Sequence, residues 1–182
     1  MKSYQYEHRS GVNRISWERF AELTRKIAEK LSEQNIDTVI GIARAGLFPA
    51  TLIACTLRRE LFPVRVTRRV NDQITYEQPI WKVDLSPEVH GKTVVIVDEI
   101  ADTGKTLTMV ADRARELGAA NVLTAALISH SWADPMPQFT ALVTDELVVF
   151  PWDELVYENR RWQPHPELVD ALKLQGLESF DP

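Results

Sequence analysis

The chain has 182 residues and a net charge of −5, and 45% of its residues are hydrophobic. These values are typical of one globular domain and exclude a disordered chain. The acidic balance argues against binding nucleic acid, and no apolar run is long enough to span a membrane. A single cysteine, Cys55, excludes an internal disulfide. The polar residues 1–10 lack a signal-peptide core, so we expect a cytoplasmic protein without membrane partners.

Helical periodicity and short apolar runs alternate along the chain. Apolar residues at helical spacing predict helices at residues 16–34, 46–59, 104–117 and 167–174. β-Branched apolar runs predict strands at residues 38–42, 61–67, 93–97, 122–128, 139–143 and 147–150. Ser16 is a suitable N-cap and Gly118 a suitable C-cap. Residues 68–92 are polar and form a predicted loop that is long enough to cover a site.

Strands that alternate with helices predict an α/β fold, in which a parallel sheet is flanked by helices. Ligands of such sheets bind outside the carboxyl ends of the strands. Two predicted loops, residues 43–46 and 99–104, follow strand ends. We therefore expect both loops to face the same crevice.

Residues 94–107 carry the strongest chemical pattern, with the sequence VVIVDEIADTGKTL. An apolar strand delivers Asp98 and Glu99, and a loop of small and hydroxyl residues then opens a helix. Backbone N–H groups at a helix start bind phosphate, and Thr103 and Thr106 add hydroxyl donors. Carboxylates accept hydrogen bonds from sugar hydroxyls. The pattern therefore predicts a site for a phosphorylated ribose.

Two other interpretations of this segment stay open at this point. The Gly-Lys-Thr sequence also occurs in the P-loop of nucleotide triphosphatases, but that motif needs a glycine where Glu99 stands. The second alternative is an ordinary strand-to-helix turn. Two consecutive acids directly after a buried strand disfavour it.

Residues 94–107 resemble the signature with which the type I phosphoribosyltransferases bind 5-phosphoribosyl-1-pyrophosphate (PRPP). The sequence GIARAG at residues 41–46 resembles the pyrophosphate loop of that family. The sequence FPWD at residues 150–153 resembles the C-terminal region of the xanthine, guanine and hypoxanthine transferases. The resemblance implies a Rossmann-like fold with a small C-terminal hood. It implies one domain over residues 1–182, with a core at about 37–130 and a hood from about 131–160 plus the N-terminal segment.

The resemblance also implies how PRPP is held. Asp98 and Glu99 would bind the ribose hydroxyls and, indirectly, a Mg²⁺ ion. The 5′-phosphate would be bound by Ala101, Asp102, Thr103, Gly104, Lys105 and Thr106. Ala43, Arg44 and Ala45 would bind pyrophosphate through backbone N–H groups, with a cis peptide bond before Arg44.

Two of these residues would take part in catalysis. Asp102 stands where purine transferases place a general acid or base near N7 of the base. Its alternative role is an acid that favours a helix N-terminus. Arg44 would stabilise the departing pyrophosphate, and its alternative role is a surface charge.

The resemblance is weaker for the acceptor base. Purine transferases place a lysine where this chain has His130, and a stacking aromatic where it has Leu147, followed by Val148. His130 can still donate to a carbonyl oxygen of a base, and Leu147 can still cover a ring face. Trp132 and Phe150 are alternatives for the stacking, and a surface histidine is the alternative for His130.

The resemblance thus implies a Mg²⁺-dependent transferase that moves phosphoribosyl from PRPP to xanthine, guanine or hypoxanthine. It further implies a homo-oligomer, either a dimer or a tetramer. A non-purine acceptor is one alternative. The other is a regulator that kept the fold and binds nucleic acid, which the acidic balance disfavours.

Overall fold

The computed structural model describes residues 9, 11–70, 73–76 and 79–176. It divides into two units. The larger unit is Glu22–Thr144, and the smaller unit joins Met1–Ala21 to Asp145–Pro182. Residues 131–144 group with the larger unit, and the expected extent of the hood stays a prediction.

The elements follow in chain order. They are β1 (Val12–Arg14), α1 (Trp17–Ser32), β2 (Thr38–Ile42), α2 (Leu47–Leu57), β3 (Glu60–Thr67), β4 (Arg69–Val70), β5 (Gln73–Ile74), β6 (Ile80–Val83), β7 (Thr93–Ala101), α3 (Lys105–Glu116), β8 (Asn121–Ser129), β9 (Phe139–Val143), β10 (Leu147–Val149), β11 (Leu155–Glu158), β12 (Arg161–Pro164) and α4 (Pro166–Leu174). None of these described helices is long and apolar enough to cross a membrane.

The larger unit is built on a six-stranded sheet with the order β6-β3-β2-β7-β8-β9. Its neighbouring strands are parallel except for the β3–β6 pair. The expected parallel α/β sheet is therefore confirmed. The chain leaves β2 toward β3 and returns to the other side of β2 as β7. This reversal of strand order is the point at which a crevice opens beyond the carboxyl ends of the strands.

The centre of this sheet is formed by β2 and β7. All five residues of β2 are buried, and Val94, Val95, Ile96 and Val97 have no exposed surface. Burial of each such side chain contributes about 1.5–3 kcal/mol. Helix α2 packs directly on β2 at Gly41, where an added Cβ would lie 2.8 Å from Ala50 Cβ. The two strands that carry the candidate loops are thus held rigidly.

The predicted loop at residues 68–92 contains more structure than its polarity suggested. Residues 80–83 form the antiparallel edge strand β6, and β4 pairs with β5. Ile80 and Trp81 are half-buried, whereas Lys82 and Val83 are exposed. The sequence of β6, IWKV, is short and does not alternate between apolar and polar residues, and the strand was therefore not predicted.

The smaller unit has its own core. Strand β1 pairs in parallel with β10, and β11 and β12 form an antiparallel hairpin. One cluster of its buried apolar side chains consists of Leu147, Val149, Leu168, Ala171 and Leu172, with Val12 packed against them. Trp152 stacks on Phe150 with ring centroids 4.7 Å apart. Phe150 and Trp152 are therefore engaged in packing.

Candidate active site

The loop that follows β2, residues 43–46, is called the β2 loop. Its Ala43–Arg44 peptide bond is cis, as the resemblance implies. Arg44 is exposed, whereas Ala43 and Ala45 are half-buried. The N–H of Ala43 donates to the carbonyl oxygen of Val64 at 2.7 Å. This amide is thus engaged with β3, and the binding of pyrophosphate by Ala43, Arg44 and Ala45 stays a prediction.

The β2 loop packs against the first of the two acids at Gly46. An added Cβ at Gly46 would lie 2.6 Å from Asp98 Oδ1 and 2.6 Å from the Ile42 carbonyl oxygen. Only a residue without a side chain leaves room for this contact. The two segments that the sequence placed at one crevice are therefore in direct contact through Gly46 and Asp98.

Asp98 and Glu99 form an acidic pair inside β7. Asp98 is buried and Glu99 half-buried. Burial raises the pKa of the Asp98 carboxyl well above its usual range, and the charge of Glu99 raises this pKa further. The N–H of Glu99 donates to Asp98 Oδ1 at 3.1 Å and opposes the rise. Hydroxyl donors or a cation near this pair would stabilise its ionised form.

The segment after the acidic pair leads into α3. Strand β7 runs to Ala101, four residues beyond its predicted end, so the loop between them is residues 102–104, called the β7 loop. Gly104 is the N-cap with φ 77°, in the left-handed region. The first N–H groups of a helix have no partner inside it, and they favour an anion. Lys105 is exposed and Thr106 half-buried at this helix start.

The β7 loop is supported by the loop that follows β8, residues 130–138, called the β8 loop. The N–H of His130 donates to the Ala101 carbonyl oxygen at 3.1 Å, and the N–H of Asp134 donates to that of Thr103 at 3.3 Å. An added Cβ at Gly104 would lie 2.4 Å from the carbonyl oxygen of Pro135. The two loops therefore form one packed wall.

His130 lies inside this wall. Its side chain is 2% exposed, so the alternative of a surface histidine is wrong. Its Nδ1 lies 2.6 Å from the carbonyl oxygen of Thr144. A carbonyl only accepts, so Nδ1 carries the proton. The ring stacks on Trp132 with centroids 4.6 Å apart. Direct contact of this buried ring with a base is therefore not supported by the geometry.

Leu147 and Val148 belong to the smaller unit. Leu147 is 8% exposed and packs in the core of that unit. Successive residues of a strand point to opposite faces, so Val148 faces away from that core and is half-buried. Of the two, Val148 is the one whose side chain is not committed to the core.

The residues present fit a Mg²⁺ ion only in part. Among the described residues, no group of three or more His, Cys, Asp or Glu side chains could hold a metal ion. Mg²⁺ is commonly held by one or two carboxylates together with substrate phosphates and water. The acidic pair of Asp98 and Glu99 is compatible with an ion that is shared with a bound substrate.

Comparison with known proteins identifies the fold and the family. Residues 15–159 match the phosphoribosyl transferase domain family. A purine phosphoribosyltransferase from Pyrococcus horikoshii superimposes with a TM-score of 0.73 and 30% identity, over 84% of this chain and 100% of that one.

Two curated relatives differ in what their names state. A xanthine-guanine phosphoribosyltransferase of Idiomarina loihiensis is 28% identical over 142 residues, which are 76% of this chain and 85% of that protein. The transcriptional regulator GfcR of Methanococcoides burtonii is 32% identical over 112 residues, 59% of this chain. The match spans only 53% of the regulator's length. The family match covers most of the chain, and the chain belongs to the phosphoribosyl transferase family.

Proposed function

We propose that the chain transfers the 5-phosphoribosyl group of PRPP to a purine base and releases pyrophosphate. The observation that carries this proposal is the contact between the β2 loop and Asp98 at the reversal of strand order. It joins an acidic pair suited to ribose hydroxyls to a loop suited to pyrophosphate. The helix start at residues 104–106 supplies N–H groups suited to the 5′-phosphate.

The proposed reaction is displacement of pyrophosphate at the ribose C1 by a nitrogen of the base. Asp98 and Glu99 orient the sugar through its hydroxyls, and the exposed Arg44 stabilises charge on the departing pyrophosphate. Asp102 exchanges a proton with the base. A Mg²⁺ ion bound with PRPP would supply further positive charge at the pyrophosphate.

A purine acceptor is supported by the relatives rather than by a side chain of this chain. The Idiomarina relative is named for xanthine and guanine, and the Pyrococcus structure for purines. We place the reaction in purine salvage, with xanthine, guanine or hypoxanthine as the acceptor. Val148 stays a candidate for base contact, and a homo-oligomer stays our expectation for the assembly.

A regulator of the same fold is the second candidate, because GfcR matches with 32% identity. Its match covers 53% of the GfcR chain, so nearly half of that regulator has no counterpart in the alignment. A regulatory role would require binding of nucleic acid that responds to PRPP. The net charge of −5 disfavours such binding.

The test is a panel of acceptor bases with PRPP and Mg²⁺, read as release of pyrophosphate and formation of nucleotide. Xanthine, guanine and hypoxanthine are expected to react, and adenine, uracil and orotate to react far more slowly. Reaction with uracil or orotate alone would support the non-purine alternative. No product with any base, together with PRPP-dependent binding of DNA or RNA, would support the regulator.

The acidic pair is tested by Asp98→Asn combined with Glu99→Gln. Loss of both charges is expected to weaken PRPP binding at least about tenfold, since charged hydrogen bonds contribute roughly 1.5–3 kcal/mol each. The control is Asp112→Asn, an exposed acid of α3 that pairs with Arg115. Unchanged PRPP affinity in the double variant would remove the acidic pair from the proposed site.

A further inference from the structure

The β8 loop carries an exposed aromatic side chain directly beside the candidate general acid or base. Trp132 is 44% exposed, although large aromatic side chains are mostly buried. Its indole N–H donates to Asp102 Oδ1 at 3.1 Å. A hydrogen bond to a charged acceptor is stronger than a neutral one and fixes the direction of the carboxylate. The indole N–H of Trp132 therefore links the β8 loop to the Asp102 carboxylate.

The ring of His130 packs against one face of the Trp132 indole and fixes its position. The two rings are nearly parallel, with an interplanar angle of 15° and centroids 4.6 Å apart. His130 itself is buried and held by its hydrogen bond to Thr144. One face of the indole thus rests on a rigid support. The exposed part of the ring provides a flat apolar surface beside Asp102.

The wall that carries Trp132 is joined to the start of α3. The β8 loop bonds to Ala101 and Thr103 through its backbone, and Pro135 lies against Gly104. The position of the indole is therefore fixed relative to the helix start that we propose binds the 5′-phosphate. A planar ring bound beside that phosphate would meet the indole face and the Asp102 carboxylate together.

We infer that Trp132 is a base-contacting and positioning residue, which stacks on a planar heteroaromatic base and orients Asp102 toward it. This inference rests on the proposed function, and it assigns to Trp132 the stacking for which the sequence offered Leu147, with Trp132 and Phe150 as alternatives. Stacking recognises the ring rather than its substituents, because every base has a flat face. The indole thus provides affinity for the base, and the Asp102 carboxylate that it holds acts on a ring nitrogen.

Two variants separate these roles. Trp132→Phe keeps an aromatic face and loses the N–H donor, whereas Trp132→Leu loses both. The matched control is Trp162→Leu, which changes a 68% exposed tryptophan of the β11–β12 hairpin. We expect Trp132→Phe to lower kcat about tenfold with little change in the KM of the base. We expect Trp132→Leu also to raise the KM of the base about tenfold, with the KM of PRPP unchanged.

A spectroscopic readout tests the same contacts without turnover. The indole ¹H–¹⁵N resonance of Trp132 is assigned by its absence in Trp132→Phe. It is expected to move upfield in Asp102→Ala, and to shift when guanosine 5′-monophosphate is added to the wild-type protein. The other four indole resonances serve as internal references.

The outcomes separate the inference from the function on which it rests. A wild-type protein that makes no nucleotide from any base, yet shows the Trp132 shift with guanosine 5′-monophosphate, would refute the transferase and support the base contact. An active enzyme whose Trp132→Leu variant keeps wild-type kcat and base KM would overturn the inference. A Trp132 resonance that responds to neither Asp102→Ala nor the nucleotide would overturn it as well.

Discussion

Two parts of the candidate site in the larger unit are built in different ways. The proposed PRPP side, residues 43–46 and 98–106, depends on backbone: a cis peptide bond, a helix start and two glycines in close contacts. The β8 loop depends on side chains, since His130 bonds to Thr144 and Trp132 bonds to Asp102, thirty residues away. A backbone-built site is contiguous in sequence and visible as a motif. A side-chain-built site becomes visible only when distant residues meet.

The largest effect is expected at Gly104, where the PRPP side and the β8 loop are in contact. Gly104→Ala would place a Cβ 2.4 Å from the Pro135 carbonyl oxygen, in a residue with φ 77°. The left-handed backbone costs about 1–2 kcal/mol for a residue with a side chain, and overpacking adds about 1–3 kcal/mol. We expect kcat/KM to fall at least about 100-fold for both PRPP and base, because small misplacements at a site cost that much. Steady-state kinetics and urea unfolding measure the two losses.

Gly91 provides the matched control for this substitution. Its φ is 72°, and an added Cβ would meet nothing within 4 Å. Gly91→Ala therefore introduces the same backbone strain without the close contact. We expect it to lower the free energy of unfolding by about 1–2 kcal/mol and to leave both KM values unchanged. Equal kinetics for the Gly104 and Gly91 variants would show that the contact between the loops has no role in activity.

Gly46→Ala is expected to affect the PRPP side alone. Gly46 has φ −60°, so alanine brings no backbone strain there, only the contacts at 2.6 Å with Asp98 Oδ1 and the Ile42 carbonyl oxygen. Relief of these contacts must move the β2 loop or Asp98. We expect the KM of PRPP to rise about tenfold, while the KM of the base changes by less than about threefold. A rise of both KM values by the same factor would contradict the division into two sides.

Much of the fold could be predicted from the sequence. The alternation of buried strands and helices indicated the parallel sheet, and Ser16 caps α1 by accepting from the Arg19 N–H at 3.1 Å. Both candidate loops follow adjacent strands of the sheet, β2 and β7. These features depend on local pattern or on rules of sheet topology. The edge strand β6 was not predicted because its four residues, IWKV, are too few and do not alternate between apolar and polar.

The site was less predictable where packing decides the role of a residue. The resemblance predicted that His130 contacts the base. The imidazole is instead buried and stacks on one face of the Trp132 indole. Leu147 was expected to cover a ring face, and it lies in the core of the smaller unit. The engagement of the Ala43 amide with Val64 depends on strand pairing. No sequence pattern at any of these positions carries that information.

His130→Ala tests the support of the indole. The substitution removes a buried ring and its hydrogen bond to Thr144. A cavity and a lost partner together are expected to lower the free energy of unfolding by about 2–4 kcal/mol. The KM of the base should rise several-fold, and that of PRPP should not. His130→Phe keeps a ring under Trp132 and should recover most of the base affinity, whereas equal defects in both variants would mean that stacking is unimportant.

The smallest effect is expected outside both sides, at the ion pair between Asp84 and Arg113 of α3. Its two contacts measure 3.0 Å and 2.7 Å, and the Asp84 side chain is 51% exposed. Hydrogen bonding to Arg113 lowers the pKa of Asp84. The pair therefore contributes stability above the unfolded-state pKa, and this contribution is lost as the pH falls through the lower folded-state value. Solvent screening keeps the effect small.

Asp84→Asn is accordingly expected to lower the Tm at pH 7 by about 1–2 °C and to leave activity unchanged. The difference from the wild type should shrink as the pH falls below the ordinary range of an aspartate carboxyl, and it should also shrink in high salt. Asp112→Asn, which removes a single contact with Arg115, serves as the control and should change the Tm less. A loss of base or PRPP affinity in Asp84→Asn would contradict this expectation. It would show that the ion pair on the outer surface of α3 sets the position of this helix together with the β7 and β8 loops. The division between the PRPP side and the β8 loop would then hold only within the loops.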